Sequence, residues 1–346
     1  MDSKLDVMER SGLALTARAA TAQEWDAIFE ACDHATFFQS RDWAEVWRRY
    51  TRGQFEPVAW SLRFSDGSRA VLPASRTRLR RGLSTHYVLS PADTYGGWLS
   101  TDELTDKHRE LLVTHMKRQM SNMWLRVNPF DPFMAEVKFG VVAHDETHAL
   151  RLTEDVGAIE KCFSRGHRAS IRAARRNGVT VSLATELEQW QSYYSAYEDS
   201  LRRWGPQASS RYAWPLFDDL YRLASPRVRL WIADREGELL AGALCFYARS
   251  HVGWWHGAAF ESAFHLRPMN LLLAEVIREA SMAGYTWFDF NPSGGHAGVV
   301  EFKRRFGATP LASPVIRTAT SWRRAGRKVN MMKHVVGRNL AWLTHR

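Results

Sequence analysis

Cysteine is rare in this chain, and none of its cysteines lies in a recognisable pattern. The 346 residues include three cysteines, Cys32, Cys162 and Cys245, which have no metal-ligand spacing. This scarcity argues against a disulfide framework and a zinc site, and it fits a reducing compartment. We therefore expect no metal centre.

Long apolar segments are lacking as well. Residues 1–12 do not show the basic and then apolar layout of a signal peptide. No apolar run approaches the roughly 20 residues that a membrane-spanning helix needs. The sequence predicts a soluble, cytoplasmic protein without an integral membrane segment.

Two motifs of nucleotide binding and covalent catalysis are also missing. The loop 293–298 is rich in glycine but lacks P-loop spacing, because Gly298 is followed by Val-Val-Glu. No Gly-x-Ser-x-Gly elbow occurs, so a covalent acyl-enzyme is not expected.

Basic residues, in contrast, are abundant and clustered. The net charge is +10. One cluster lies at Arg165–Arg176 and one at Ser321–Arg346, where seven Lys/Arg occur with no acids. A third comprises Arg76, Arg78, Arg80 and Arg81. Such clusters suggest a polyanionic partner, although basic residues also keep proteins soluble. The basic C-terminal segment has an amphipathic pattern and could bind tRNA, a membrane surface or the protein itself.

The chain contains an internal repeat. Residues 123–129 read Met-Trp-Leu-Arg-Val-Asn-Pro, and residues 286–292 read Thr-Trp-Phe-Asp-Phe-Asn-Pro. Each is a short alternating strand ended by Asn-Pro, and each follows a helical pattern, at 103–120 and 269–283.

A predicted hairpin and a further strand precede each of these helices. The hairpins are 57–64 with 69–78 and 228–233 with 238–248, and the further strands are 85–89 and 251–259. The sequence therefore predicts an α+β fold with two related halves, at 1–150 and 151–320, followed by a basic tail at 321–346.

Three segments resemble the FemABX family of aminoacyl transferases, whose members look like two fused GNAT domains. The segments are Phe37-Phe38-Gln39-Ser40-Arg41-Asp42-Trp43, Arg168–Val179 and the pair Phe288-Asp289-Phe290 with Phe302–Ala308. The resemblance covers about residues 20–310. It implies tandem GNAT domains with mixed sheets flanked by helices, and transfer of an amino acid from aminoacyl-tRNA to an amine.

The resemblance places Phe302 and Lys303 at the active site. An ammonium there could stabilise the oxyanion that forms when an amine attacks an ester, whereas the alternative is a solvated lysine. Asp289 alternates with two phenylalanines, which suits either a general base or amine-binding carboxylate in the cleft, or a solvent-facing residue. His296 in the glycine-rich loop could assist proton transfer.

The candidate substrate-binding residues are mostly arginines. Arg168 and Arg172 lie with Arg175 and Arg176 at helical spacing on one face, before the Asn177-Gly178 stop. They either contact phosphate or suit the helix C-terminus. Arg211 belongs to a loop that resembles a substrate-contacting family segment. Where the family often has a phosphate-binding lysine, this chain has Trp47 followed by Arg48.

The donor is the least defined part of this prediction. No glycine occurs between Gly257 and Gly284, so the glycine turn by which acyl-CoA-dependent GNAT enzymes hold the pyrophosphate is missing. We expect aminoacyl-tRNA as donor, no cofactor, and a peptidoglycan precursor or peptide-type metabolite as the amine acceptor. The alternatives are an N-acyltransferase that uses an acyl carrier protein or acyl-CoA, and a non-enzymatic RNA-binding module. The oligomeric state stays open.

Overall fold

A computed structural model describes residues 6–79, 84–134, 137, 140–205, 208 and 211–318. Arg80, Arg81 and the basic tail at 321–346 lie outside the described residues.

The secondary structure alternates between helices and strands along both halves. The helices are α1 (Ala22–Ala31), α2 (Arg41–Tyr50), α3 (Asp106–Gln119), α4 (Val156–Cys162), α5 (Arg165–Arg176), α6 (Leu187–Trp204), α7 (Trp214–Arg222), α8 (Pro268–Met282) and α9 (Ala297–Arg304). The strands of the first half are β1 (Asp6–Arg10), β2 (Leu13–Ala19), β3 (Glu56–Phe64), β4 (Arg69–Leu79), β5 (Ser84–Val88), β6 (Tyr95–Gly96), β7 (Met123–Val127) and β8 (Val141–Ala143). The later strands are β9 (Glu146–Arg151), β10 (Thr180–Leu183), β11 (Val228–Arg235), β12 (Glu238–Ala248), β13 (His251–Ala259), β14 (Trp287–Asp289), β15 (Thr309–Ala312) and β16 (Val315–Thr318).

These strands form two mixed sheets. The first sheet has the order β1-β2-β3-β4-β5-β7-β16-β8, with β6 also paired to β7. The second sheet has the order β10-β11-β12-β13-β14-β9-β15. The α+β fold with mixed sheets flanked by helices is therefore confirmed.

The predicted repeat is present in both sheets. In each half an antiparallel hairpin, β3–β4 or β11–β12, leads to a third strand and a helix. The chain then returns in a strand parallel to the third one, as β7 beside β5 and as β14 beside β13.

In both sheets the two parallel strands pair over a short length and then separate, which leaves a gap between them. The two halves differ in what lies beside the separated strands. In the second sheet β13 and β14 pair only from His251↔Trp287 to Gly253↔Asp289, and β13 continues unpaired on that side to Ala259. In the first sheet the short strand β6 fills the equivalent place, because it pairs with β7 beyond the end of β5. Among the described residues, a strand therefore fills the gap in the first half and none fills it in the second.

Strands near the middle and the end of the chain join the halves. β9, at the predicted boundary, pairs with β14 and β15 in the second sheet. β16 returns to the first sheet and lies between β7 and β8. The division of the chain at residue 150 stays a prediction.

An aromatic core is shared by the two halves. Trp43 on α2 is fully buried, and its ring lies 5.2 Å from that of Phe246 and 5.3 Å from that of Trp255. Phe37 also stacks on Phe246, with 4.7 Å between ring centroids. Aromatic pairs at such distances add to the apolar burial of large rings.

We predict that Trp43→Ala destabilises the protein by about 3–5 kcal/mol, as expected for truncating a buried large ring. Because Trp43 contacts both halves, calorimetry should show a single transition at a lower temperature. Trp204→Ala, at a ring that is 42% exposed, is the control and should shift the transition much less. Two separate transitions, with only one of them displaced, would contradict the shared core.

Candidate active site

Lys303 is a buried lysine beside the gap in the second sheet. It lies on α9, which follows β14 after the turn at 293–296, and it is 2% exposed. Its Nζ donates to the carbonyl oxygen of Asn291 at 2.5 Å and to Ser293 Oγ at 2.9 Å. The alternative of a solvated lysine is therefore wrong. An ammonium has three N–H groups, so one remains for another acceptor.

The surroundings of Lys303 change its protonation. Burial lowers the pKa of its ammonium to about 8, and the negative charges of Asp289 and Asp145 act against that shift. Desolvation disfavours a charged group, which is why the pKa of a buried lysine falls. Near neutral pH the group is still mostly protonated and can donate a hydrogen bond.

Asp289 is fully buried at the end of β14 and is held from several sides. Its Oδ1 accepts hydrogen bonds from Thr147 Oγ1 at 2.6 Å and from the N–H of Asn291 at 3.0 Å. His251 Nε2 lies 3.3 Å from Oδ2. The alternative of a solvent-facing Asp289 is wrong, since the side chain is 0% exposed. Burial and the nearby Asp289 charge also raise the pKa of Tyr95, from β6, well above its usual value.

Asn291 connects the two strands where they separate. Its backbone has a left-handed φ of 56°, which asparagine tolerates better than most residues. Its Nδ2 donates to the carbonyl oxygen of Trp254 on β13 at 2.9 Å. Trp254 lies next to a bulge in β13, since Leu244 pairs with His256 and Cys245 pairs with Trp254. Asn291 therefore links the bulged strand to β14 and, through its carbonyl, to Lys303.

Phe302 connects α9 to the arginine-rich helix. The Nε2 of His167 on α5 lies 3.1 Å from the carbonyl oxygen of Phe302, and the two rings are 5.0 Å apart. The Phe302 ring also lies 6.5 Å from that of Trp254. Helix α5 therefore packs directly against the helix that carries Lys303.

The four arginines predicted to share one face of α5 divide into two pairs. Arg168 donates to the carbonyl oxygens of Lys161 and Phe163, and Arg175 forms an ion pair with Glu275 at 2.7 Å. Arg172 and Arg176 are exposed, and no acid among the described residues pairs with either. As predicted, the helix ends at Asn177, and Gly178 takes a left-handed φ of 76°.

The other predicted substrate-binding residues lie apart from Lys303 or point elsewhere. Trp47 is 1% exposed in the shared core, so its ring lines no open cleft. Arg48 is exposed and pairs with Glu45 on its own helix. Arg211 is exposed and donates to the carbonyl oxygen of Gly205. His296 is exposed at the start of α9.

Sequence reasoning missed four residues that bond Lys303, Asp289 or Asn291. They are Thr147, Trp254, Asn291 and Ser293. The Asn-Pro pair predicted a turn, but nothing local predicted that its asparagine contacts another strand. The signal that could have found it is the recurrence of Asn-Pro in both halves.

A family model described as an acetyltransferase (GNAT) domain matches residues 162–304. This part contains the gap between β13 and β14 and also Lys303. Among curated proteins, none matches the sequence.

The fold is similar to that of several solved structures. FemX has a TM-score of 0.66 and 13% identity over 86% of this chain and 96% of its own. The chain has a FemX-like fold. L-PGS from Bacillus licheniformis has a TM-score of 0.55 and 13% identity over 93% of this chain and 97% of its own. The C-terminal domain of a putative lysylphosphatidylglycerol synthetase from Agrobacterium fabrum has a TM-score of 0.53 and 11% identity over 93% of this chain and 96% of its own.

The described residues contain neither a candidate metal site nor a candidate membrane-spanning helix. In the described ranges, no group of three or more His, Cys, Asp and Glu side chains could hold a metal ion. None of the helices in the described part of the chain is long and apolar enough to span a bilayer.

We predict a characteristic pH dependence for Lys303→Met. The folded-state pKa of about 8 lies below the ordinary lysine pKa of 10.5, so the unfolded chain binds more protons between these two values. The stability of the wild type relative to the variant should therefore rise by about 3 kcal/mol as the pH increases through this window. Below pH 8 the difference in unfolding free energy between the two proteins should not change with pH.

The measurement is urea unfolding of both proteins at several pH values. Lys107→Met, at an exposed lysine on α3, is the matched control. If the unfolding free energy of the wild type relative to Lys303→Met falls as the pH increases, the proposed effect of burial on the pKa of Lys303 is contradicted.

Proposed function

We propose that the chain is an acyltransferase that makes an amide bond at the gap between β13 and β14. The observation that carries this proposal is the buried ammonium of Lys303, held beside that gap by Asn291 and Ser293. Structural lysines rarely lie fully buried without a carboxylate partner. A group with a shifted pKa in a GNAT fold is a candidate for function.

The role of Lys303 in this proposal is to stabilise negative charge. When an amine attacks an ester carbonyl, the carbonyl oxygen becomes an oxyanion. The free N–H of the Lys303 ammonium would donate to that oxygen, and its low-dielectric surroundings would strengthen the bond. The C–N bond forms, the ester C–O bond breaks, and a proton moves from the amine to the leaving oxygen.

Asp289 acts on this lysine indirectly. Thr147, His251 and the N–H of Asn291 already surround its carboxylate. We therefore assign Asp289 as a positioning residue that fixes Asn291, which in turn holds Lys303. Phe302 places its neighbour Lys303 by packing against His167.

The proposed donor is aminoacyl-tRNA. The resemblance to FemABX enzymes implies this donor, and the contact between α5 and α9 supports it, because exposed Arg172 and Arg176 lie on a helix that touches the Lys303 helix. Backbone phosphates attract such side chains. The proposed acceptor is the amine of a peptidoglycan precursor or of a peptide-type metabolite.

The runner-up is an N-acyltransferase that uses an acyl carrier protein or acyl-CoA, which the GNAT match keeps open. The segment before α8 disfavours a pyrophosphate site. It contains a 3-10 helix, Glu261–Leu266, at whose ends the N–H of Ala263 donates to the carbonyl oxygen of Phe260 and the N–H of Arg267 donates to that of Phe264. Pro268 then opens α8 without an N–H. A non-enzymatic RNA-binding module would not need Lys303 buried beside the gap.

We predict that Lys303→Ala lowers turnover about 10²-fold with the fold intact, as expected when one transition-state donor is lost. The assay uses total tRNA charged with labelled amino acids as donor and hydroxylamine as a small nucleophile. Lys107→Ala is the matched lysine control. Unchanged turnover in folded Lys303→Ala would remove the proposed role.

We also predict that Arg172→Ala/Arg176→Ala weakens tRNA binding and flattens its dependence on log[salt] by roughly 1–2 units, if each arginine neutralises one phosphate. The measurement is tRNA affinity at several salt concentrations, together with the melting temperature. Arg63→Ala/Arg69→Ala, at two exposed arginines paired across β3 and β4, is the control. A variant that melts early but keeps the parental slope would contradict this prediction.

A further inference from the structure

The amide oxygen of Asn291 is a buried acceptor that no described residue satisfies. Asn291 is 7% exposed, and its Oδ1 has no hydrogen-bond partner among the described residues. The orientation of the amide is fixed, because its Nδ2 donates to the carbonyl oxygen of Trp254. Leaving a buried acceptor unsatisfied costs free energy, so such an atom calls for an explanation.

The repeat provides an internal comparison. Asn128 occupies the same Asn-Pro position in the first half, and all of its side chain is satisfied. Its Nδ2 donates to the carbonyl oxygen of His34 and to Gln39 Oε1, and its Oδ1 accepts the N–H of Phe130 at 3.0 Å. The fold can therefore satisfy an asparagine at this position, and it leaves one atom unsatisfied only in the half whose gap is free.

The atoms around Asn291 place this acceptor next to Lys303. The carbonyl of the same residue accepts from Lys303 Nζ. Gly253 on β13 leaves room for the ring of His251, since a Cβ there would lie 2.9 Å from His251 Cε1, and this Cβ would be in ordinary contact with Asn291 Nδ2 at 3.5 Å. Partly exposed Ser293 also bonds Nζ, so one hydrogen-bond partner of Lys303 lies near the surface, at the turn 293–296.

We propose that Asn291 Oδ1 is the acceptor that binds and orients the N–H of the attacking amine. This inference rests on the proposed acyl transfer and names a residue for its second substrate. A neutral amine donates one N–H to Oδ1 and keeps its lone pair for the carbonyl carbon. The ammonium of Lys303 repels a protonated amine, so the site selects the neutral, nucleophilic form.

The test separates this role from a purely structural one by measuring two reactions of one donor. Total tRNA charged with labelled amino acids is incubated with each protein. Labelled hydroxamate reports attack by hydroxylamine, and labelled free amino acid reports attack by water, both above the uncatalysed rate. Hydroxylamine is a small nucleophile that carries N–H donors for Oδ1.

Two substitutions distinguish the atoms of the side chain. Asn291→Gly suits the left-handed φ and keeps the carbonyl that holds Lys303, but it removes both Oδ1 and Nδ2. Asn291→Asp keeps an acceptor oxygen, replaces the Nδ2 donor with a second oxygen and adds a negative charge. We expect the ratio of hydroxamate to free amino acid to fall about tenfold in Asn291→Gly and to stay within about threefold of wild type in Asn291→Asp. Asn128→Gly is the matched control and should leave the ratio unchanged.

Each other outcome is decisive. If both Asn291 variants lose the two reactions equally, at an unchanged ratio, Asn291 only ties β13 to β14 or binds a structural water, and the proposal is overturned. If the wild type forms no hydroxamate from charged tRNA, acyl carrier protein or acetyl-CoA, the proposed function fails, and the Asn291 role fails with it. Hydroxamate formation by the wild type therefore tests the proposed acyl transfer, and the ratio of hydroxamate to free amino acid in the variants tests the role of Asn291.

Discussion

The separation of β13 from β14 is the constraint on which the site depends. Because the parallel strands separate after Gly253↔Asp289, the backbone N–H and C=O groups beyond this pair have no ladder partners across the gap. Backbone and side-chain polar groups in such a place must find other partners or remain available to a ligand. Asn291 meets part of this requirement by bonding Trp254, and its carbonyl bonds Lys303. The lysine is therefore held by the geometry of the gap.

Charge inside the site is balanced without a direct ion pair. Lys303 donates to a carbonyl and a hydroxyl, while Asp289 lies close enough to favour its ammonium but is itself surrounded by other donors. A direct carboxylate contact would hold the ammonium more firmly and occupy its remaining N–H. The observed arrangement keeps one N–H available, at a cost to stability that appears as the lowered pKa.

Much of the fold follows from local sequence, and the site follows only in part. Alternation, Asp/Gly turns and the two Asn-Pro strands predicted the repeat, and Asn177-Gly178 predicted the end of α5. The burial of Trp47 depends on aromatic rings from the second half, such as Tyr212, whose ring lies 6.0 Å away. The closure of the first gap depends on β6, which has two residues and no periodicity to detect. The contacts of Asn291 join β13 to β14, and no single-segment pattern contains such a contact.

That aminoacyl-tRNA is the donor is the central claim about this site, because the arginine-bearing helix α5 contacts α9, and α8 begins with Pro268, which has no N–H to offer a pyrophosphate. Calorimetric titration of the wild type with charged tRNA and, in parallel, with acetyl-CoA tests this claim. The account predicts saturable, salt-sensitive binding of charged tRNA and no measurable heat with acetyl-CoA. Micromolar affinity for acetyl-CoA without binding of tRNA would contradict it.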